Sequence, residues 1–413
     1  MDCGHRQGRH QAAIATVRLP VNDRVLIAGA GPVGLVAAAH LARGGVPVTV
    51  FEEGADLSEE SRASTFHPPT LDMLDDLGAA KPLIVQGLIA PAFQYRTKKH
   101  GLLAQFDFDA IADATRHPYR VQCEQSKLTR ILADGLRGNP CFDLQFDARV
   151  TGLKQDGAGV EVTLDRRGAS ETHRGRYLIG ADGASSVVRR ALGVEFEGFT
   201  WPDRLLVVST PFDFHAVIPG LTAVNYVADP ERWYFLLQIP GLWRVMFLVN
   251  EDASDERVQT REFAQSLMAG VIPGISNYEI DHITLYKVHQ RVAKSFREGR
   301  AFLIGDAAHI NNPLGGMGMN GGIHDAVNLA ARLCAVWRGE KPEAELGRYD
   351  KQRRLVTLEY IQKTTIQNKK NLESSGDEFR QNLLAIKADP ARTREYLLRV
   401  SMIASLARAE ELG

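Results

Sequence analysis

Only four cysteines occur in 413 residues, and Cys3, Cys123, Cys141 and Cys334 are too widely spaced to form a CxxC or Cys/His pattern. Such usage argues against both a disulfide framework and a zinc site, and a reduced, cytoplasmic setting is the plain expectation. The chain also lacks any run of about 18 apolar residues, so no membrane-spanning helix is expected. An excess of charge of one sign is missing as well: 49 Lys and Arg against 50 Asp and Glu leave a formal net charge of −1. That balance gives no electrostatic case for nucleic acid or an anionic membrane surface. Repeats and low-complexity tracts are absent. Residues 1–20 carry arginine and histidine but no apolar core of a secretory signal, and they read as a disordered leader outside the fold. The length exceeds what one small core can organise, which points to two interleaved domains and a tail.

What the chain does have is three short apolar runs, each ending in a glycine turn. Arg24 to Ala28 (RVLIA) reads as a buried parallel strand and runs into Gly29-Ala-Gly31-Pro32-Val33-Gly34. A helix of small apolar residues follows, and PVTVFE supplies a second strand with Glu52 at its tip. In this strand-turn-helix-strand context Gly29 permits the tight turn, Gly31 lets backbone N–H groups approach a pyrophosphate, and Gly34 allows close helix packing. Glu52 is placed to accept hydrogen bonds from ribose hydroxyls and to repel a ribose 2′-phosphate. Tyr177 to Gly180 (YLIG) ends in Ala181-Asp182-Gly183, and Ala301 to Ile304 (AFLI) ends in Gly305-Asp306-Ala307-Ala308-His309. A simple nicotinamide dehydrogenase has no need of two further acidic turns at strand ends.

From about Arg24 to about Arg354 these motifs resemble the class A flavin-dependent monooxygenases, the p-hydroxybenzoate hydroxylase and phenol hydroxylase group. The resemblance implies an α/β fold, in which a Rossmann-like FAD-binding domain is interleaved with a mixed β-sheet substrate domain and followed by a C-terminal helical layer. The expected division is 21–91, 118–195 and 290–345 for FAD, 92–117 and 196–289 for substrate, and 346–413 for the helices. It further implies that Asp182 serves FAD and NAD(P)H together, that Gly305 and Asp306 take the ribityl chain, that Arg62 reaches the pyrophosphate, and that Gln125 bonds FAD near its ribose. Asn312 to Asn320 is glycine-rich and is expected as a loop, with a helix after it. A glycine loop opening a helix presents N–H groups and a positive dipole end to an acceptor that gains negative charge. By resemblance this loop runs along the isoalloxazine ring, with Gly315, Gly318, Met319 and Asn320 at the ring and Pro313 near its reacting face.

Between Leu205 and Val249 short apolar segments separated by Pro, Gly and Asp turns have the rhythm of antiparallel strands. Alternation puts Tyr234, Leu236 and Gln238 on one face and Trp233, Phe235 and Leu237 on the other. Tyr226, Tyr234 and Gln238 are the candidates for lining a substrate pocket. His67 is the candidate proton relay, whereas His309 reads as structural.

The resemblance implies that NADH or NADPH reduces FAD, that O2 adds to give a C4a-hydroperoxide, and that oxygen passes to an activated, phenolic ring. Flavin carries that chemistry, and the protein orients it. Three alternatives stand beside this reading. A flavin-dependent halogenase typically shows a WxWxIP phrase, where this chain has WYFLLQIP from Trp233 to Pro240. A quinone or polyprenoid hydroxylase would favour an apolar anchor, and a flavin-binding protein without oxygenase activity needs only the cofactor fold. A monomer or a homodimer is expected, with no metal, acting on an aromatic small molecule.

Overall fold

A computed structural model describes residues 23–59, 63–228, 233–249, 252–373 and 377–413. The expected leader and Arg62 lie outside these residues.

Val25–Ala28 is buried throughout and pairs in parallel with Val48–Phe51 on one side and Tyr177–Gly180 on the other. Phe142–Gln145 extends the sheet in parallel beyond Val48–Phe51, and Ala301–Leu303 beyond Tyr177–Gly180, with Arg297–Glu298 antiparallel at the edge. Continuous apolar runs suit strands covered on both faces. The helices Pro32–Arg43 and Met317–Trp337 pack against each other beside this sheet. A three-stranded antiparallel sheet, Arg149–Gln155, Val160–Arg166 and Ala169–Gly175, adjoins it.

The second large sheet has eight strands, in the order His309–Ile310, His282–Ala293, Phe196–Thr210, Leu242–Val249, Tyr234–Ile239, Val224–Ala228, Ala92–Thr97 and Gly101–Asp107. It is mixed, because Val224–Ala228 runs parallel to Ala92–Thr97 while its other pairings are antiparallel. One face packs Phe93, Tyr95, Phe106, Leu205, Tyr226 and Trp233 together with Leu314 of the glycine loop. The other buries Leu206, Val208, Tyr234, Leu236 and Trp243 under the helix Arg261–Met268. The strand His282–Ala293 runs through the boundary expected at 289–290 and pairs with His309–Ile310 just after the third turn.

Helices fill the C-terminal part: Gly347–Val356, a π-helical turn Thr357–Gln362, Lys363–Glu373, Asp377–Ala388, Pro390–Val400 and Ile403–Glu411. They cover more than the nucleotide-binding part, since Phe379, Leu383, Leu397 and Val400 join the aromatic face of the eight-stranded sheet. Asp389 caps Pro390–Val400 by accepting from Ala391 N at 2.8 Å.

The glycine stretch is a loop only as far as Gly316. The helix begins at Met317, so Gly318, Met319 and Asn320 are helical instead of loop residues. Glycine is tolerated there because neighbours fill the space a side chain would need. A Cβ on Gly321 would meet Ile361 Cδ1 at 2.7 Å, and one on Gly322 would meet Val33 at 2.7 Å.

Candidate active site

The first turn is shaped by backbone contact. Gly29 has φ +99°, and a Cβ there would stand 2.5 Å from the Ala181 carbonyl oxygen, so the first and second turns touch. A Cβ on Gly34 would lie 2.1 Å from the Gly29 carbonyl oxygen, whereas a Cβ on Gly31 would meet nothing within 4 Å. Gly29 and Gly34 are thus required by packing, and Gly31 borders open space. Gly31 is also the N-cap of Pro32–Arg43, with no side-chain cap and no acidic residue in the first turn. The amides of Val33 and Gly34 therefore have no acceptor within the helix. Glu52 accepts from Ala30 N at 2.8 Å through Oε2 and from Gly54 N at 3.0 Å through Oε1. Its half-buried carboxylate is held beside the turn. Free amide donors, a positive helix end and a fixed carboxylate fit the pyrophosphate and ribose of a dinucleotide.

Asp182, in the second turn, accepts from Ser186 Oγ at 2.6 Å and from Val188 N at 3.0 Å. It thereby organises the start of the short helix Val187–Ala191. From that helix Arg189 donates to the Ala184 and Ala307 carbonyls, each at 2.8 Å, and so ties the second turn to the third.

In the third turn Gly305 has φ +59° and packs on Val33, while Asp306 beside it is exposed. A buried network fixes this turn to the long helix. Asp325 accepts from Gly305 N at 3.2 Å, pairs with Arg353 Nε at 2.7 Å, and meets His309 Nε2 at 2.8 Å. Burial alone would raise the Asp325 carboxyl, but the His309 and Arg353 contacts hold it below the ordinary carboxylate value. His309 therefore has a structural place, as the sequence suggests.

The loop after the third turn is pinned at both ends. Asn312 donates to Gln290 Oε1 from its backbone N and its Nδ2, each at 3.1 Å, and Gln290 in turn donates to Gln362 and Thr365. Gly316 N bonds the Pro313 carbonyl at 2.9 Å, closing a turn whose last two residues, Gly315 at φ +103° and Gly316 at φ +67°, are left-handed. His67 Nε2 lies 2.8 Å from the Gly315 carbonyl oxygen. Asn320 is a staple: its Oδ1 accepts from His67 N at 2.9 Å, and its Nδ2 donates to Thr65 O at 2.8 Å and Gly316 O at 2.6 Å. Because Gly316 gives Met317–Trp337 no side-chain cap, the amides of Gly318 and Met319 remain available at a positive helix end.

His67 is fully buried. Loss of solvation, then the nearby Arg120 charge, holds its imidazole well below the usual histidine value, so it is neutral at physiological pH.

Pro313 is exposed and lies on a cleft formed with Leu314, Trp201, Leu205, Trp233 and Val288. Lys369 borders the same cleft, 3.0 Å from Asp203 and 4.5 Å from the centre of the Trp201 ring. Alternation separated the strand faces as expected, but the face toward the cleft carries Trp233 and Phe235. Tyr234 lies on the opposite face, and Gln238 bonds His215 Nε2 at 3.1 Å there, away from Pro313. Both pocket assignments are corrected, since docking against Leu314 selects the other face. Tyr226 shares the Leu314 face. Gln125 opens the helix Gln125–Gly135, its backbone N bonding the Ala63 carbonyl at 3.0 Å. Arg120, Arg189 and Gln290 were not singled out from sequence. Arg189 stands in the SSVVRR phrase, whereas nothing marks Gln290.

Among the described residues, no cluster of His, Cys, Asp and Glu could hold a metal, and no helix is long and apolar enough to cross a membrane. Residues 22–364 match the family model described as FAD binding domain. Para-nitrophenol 4-monooxygenase of Pseudomonas sp. (strain WBC-3) is 34% identical over 91% of this chain and 94% of its own. The 6-hydroxy-3-succinoylpyridine 3-monooxygenase HspB of Pseudomonas putida (strain DSM 28022 / S16) is 31% identical over 92% of this chain and 98% of its own. The crystal structure of p-nitrophenol 4-monooxygenase PnpA from Pseudomonas putida DLL-E4 superposes with a TM-score of 0.88 at 31% identity, covering 93% of this chain and 98% of that one. With the three turns, the uncapped helix ends and the cleft at Pro313 in place, the chain belongs to the class A FAD-dependent aromatic monooxygenases.

Proposed function

We propose that the protein is a single-component hydroxylase that inserts one atom of O2 into the ring of a phenolic small molecule, with NADH or NADPH as reductant. The net reaction takes the aromatic substrate, O2, NAD(P)H and a proton to the hydroxylated product, NAD(P)+ and water. The observation that carries this reading is the cleft in which Pro313 faces Leu205, Trp233 and Val288, on a loop fixed between the third turn and the long helix. Bound FAD supplies the redox chemistry for both the nicotinamide and oxygen.

The amides after Gly31 hold the pyrophosphate in this reading, with Arg62 beside it, while Glu52 and Gln125 take the adenosine side. Asp306 takes the ribityl chain, and the amides of Gly318 and Met319 face the flavin edge that becomes negative on reduction. Asp182 keeps the second turn in place for FAD and nicotinamide through its bonds to Ser186 and Val188. The walls of Trp201, Leu205, Trp233 and Val288 exclude water from the reacting face, which protects a reactive oxygen donor from wasteful breakdown. Tyr226 belongs to the same aromatic face. His67 acts by holding the loop through Gly315 and stays neutral while doing so. A cytoplasmic location and a monomer or homodimer complete the reading.

The test is a panel of phenols, nitrophenols and hydroxypyridines offered to the yellow, purified protein with NADH and NADPH. Substrate-stimulated oxidation of the nicotinamide and a product heavier by one oxygen are expected. FAD binding without stimulation by any aromatic would reject the hydroxylase reading, and product gaining chlorine or bromine would favour halogenation.

A further inference from the structure

Arg120, on the strand Arg120–Gln122, is 2% exposed, yet its Nε and Nη1 have no hydrogen-bond partner. Among the described residues no carboxylate pairs with it. Its guanidinium carbon stands 4.8 Å from the centre of the Phe93 ring and 5.3 Å from that of Phe108. Aromatic faces attract a guanidinium, but its N–H bonds lie in its own plane and still require an acceptor at the edge. A buried cation left in this condition destabilises the fold unless a ligand completes the site.

The strand register shows where that edge looks. Thr65 faces Gln122 and Phe66 faces Val121, so continuing the pairing sets His67 opposite Arg120. Phe66 and Val121 point into the core of the nucleotide domain, which leaves Thr65, His67, Arg120 and Gln122 on the other face. Gln122 Nε2 and His67 Nδ1 are buried without partners on that face too. A Cβ on Gly316 would touch Thr65 and approach His67 Nε2 at 3.5 Å, so this face borders the glycine loop. Phe93 and Phe108 belong to the same aromatic cluster as Trp233 and Leu314. Nearby groups supply no counter-charge: burial first, then neighbouring hydroxyls, holds Tyr95 well above its ordinary value, burial pushes Tyr396 up to about 12, and His67 is neutral.

We propose that Arg120 holds the anionic oxygen of the aromatic substrate, which accepts hydrogen bonds from the in-plane N–H groups while the ring packs among the aromatic side chains. The site thereby selects aromatic anions over neutral rings of the same shape. The assignment rests on the hydroxylase reading above and names its substrate class. A phenol bound as phenolate is also the more electron-rich ring, the form that receives an electrophilic oxygen.

The experiment measures binding of 4-nitrophenolate and of 4-nitroanisole, the methyl ether that cannot ionise, to FAD-loaded protein by perturbation of flavin absorbance. Wild type is expected to prefer the phenolate. Arg120→Met should lower that preference by roughly 10- to 100-fold, the range of a charge-assisted hydrogen bond, and Arg120→Lys should keep part of it. Thermal unfolding without substrate gives a second readout: losing an unpaired buried charge should raise the midpoint of Arg120→Met and abolish the upward shift that 4-nitrophenolate gives wild type. A preference and a ligand-induced shift both unchanged in Arg120→Met would overturn the assignment and leave the hydroxylase reading intact. A wild-type holoenzyme that neither binds nor hydroxylates any aromatic anion overturns both.

Discussion

His67 Nε2 and the carbonyl oxygen of Gly315 lie 2.8 Å apart, joining residues 248 positions distant in sequence. A carbonyl only accepts, so Nε2 carries the proton and Nδ1 is bare. The imidazole therefore acts as a strut under the glycine loop. His67→Ala should leave the loop free to shift, and a displacement on the order of 1 Å can cost up to about 100-fold in a positioned reaction. The expected result is a lower ratio of hydroxylated product to NAD(P)H consumed, with FAD still bound. An unchanged ratio would remove His67 from the support of the loop.

Acid should weaken the fold through its buried histidines. Burial, followed by the Arg353 charge, pushes His324 down to about 3 from 6.5, and His67 is likewise held well below 6.5. Below about pH 6.5 the unfolded chain takes up protons that the folded one refuses, so stability is full above that pH and declines as pH falls toward the folded value. Each such group can contribute up to about 1.4 kcal/mol per pH unit in that window. Urea unfolding at pH 8, 6 and 5 should show the decline, and His324→Gln should flatten it, at the cost of its contact with Thr70 Oγ1 at 3.0 Å. Parallel curves for the two proteins would contradict the assignment.

Two glycines of one motif should respond in opposite ways. At Gly31 the backbone is ordinary and a methyl group points into open space, so Gly31→Ala should fold like wild type and bind FAD more weakly. At Gly34 the methyl would strike a carbonyl oxygen 2.1 Å away, so Gly34→Ala should lose about 2 kcal/mol or more of stability before any question of FAD arises. Apoprotein melting and FAD titration separate the two effects. Equal melting of both variants would contradict the packing account of Gly34.

Neighbouring residues on the strand Tyr234–Ile239 and just before it should also divide. Trp233 borders the cleft and Tyr234 is turned away under Arg261–Met268. Trp233→Ala should raise KM for phenols or change their rank, by roughly tenfold or more from lost aromatic contact. Tyr234→Phe should leave KM and rank as they are. The reverse pattern in steady-state kinetics would place the pocket on the wrong face.

The nucleotide sheet was legible because buried parallel strands are written as uninterrupted apolar runs, such as VLIA and YLIG, each closed by a glycine turn. The start of the long helix was not, because Gly318, Gly321 and Gly322 carry the composition of a loop. What calls for glycine at 321 and 322 is the close approach of Ile361 and Val33, far away in sequence. Alternation divided Trp233 from Tyr234 correctly, but both faces of that strand are aromatic, and only docking against Leu314 decides between them. Arg120 was hidden for a similar reason: an arginine in a three-residue strand looks solvent-facing until the Phe93 and Phe108 rings close over it.

One strand, His282–Ala293, belongs to both halves of the chemistry. Its Val288 lines the cleft, and two residues on, Gln290 holds Asn312 at the root of the loop. Contents of the cleft and posture of the loop are therefore joined in series, with no flexible linker between them. A guest that presses on Val288 acts on the strand two residues, about six or seven ångströms, from the Gln290 side chain that holds Asn312, the neighbour of Pro313. A ring large enough to displace Val288 should therefore disturb the root of the loop as well as the wall of the cleft.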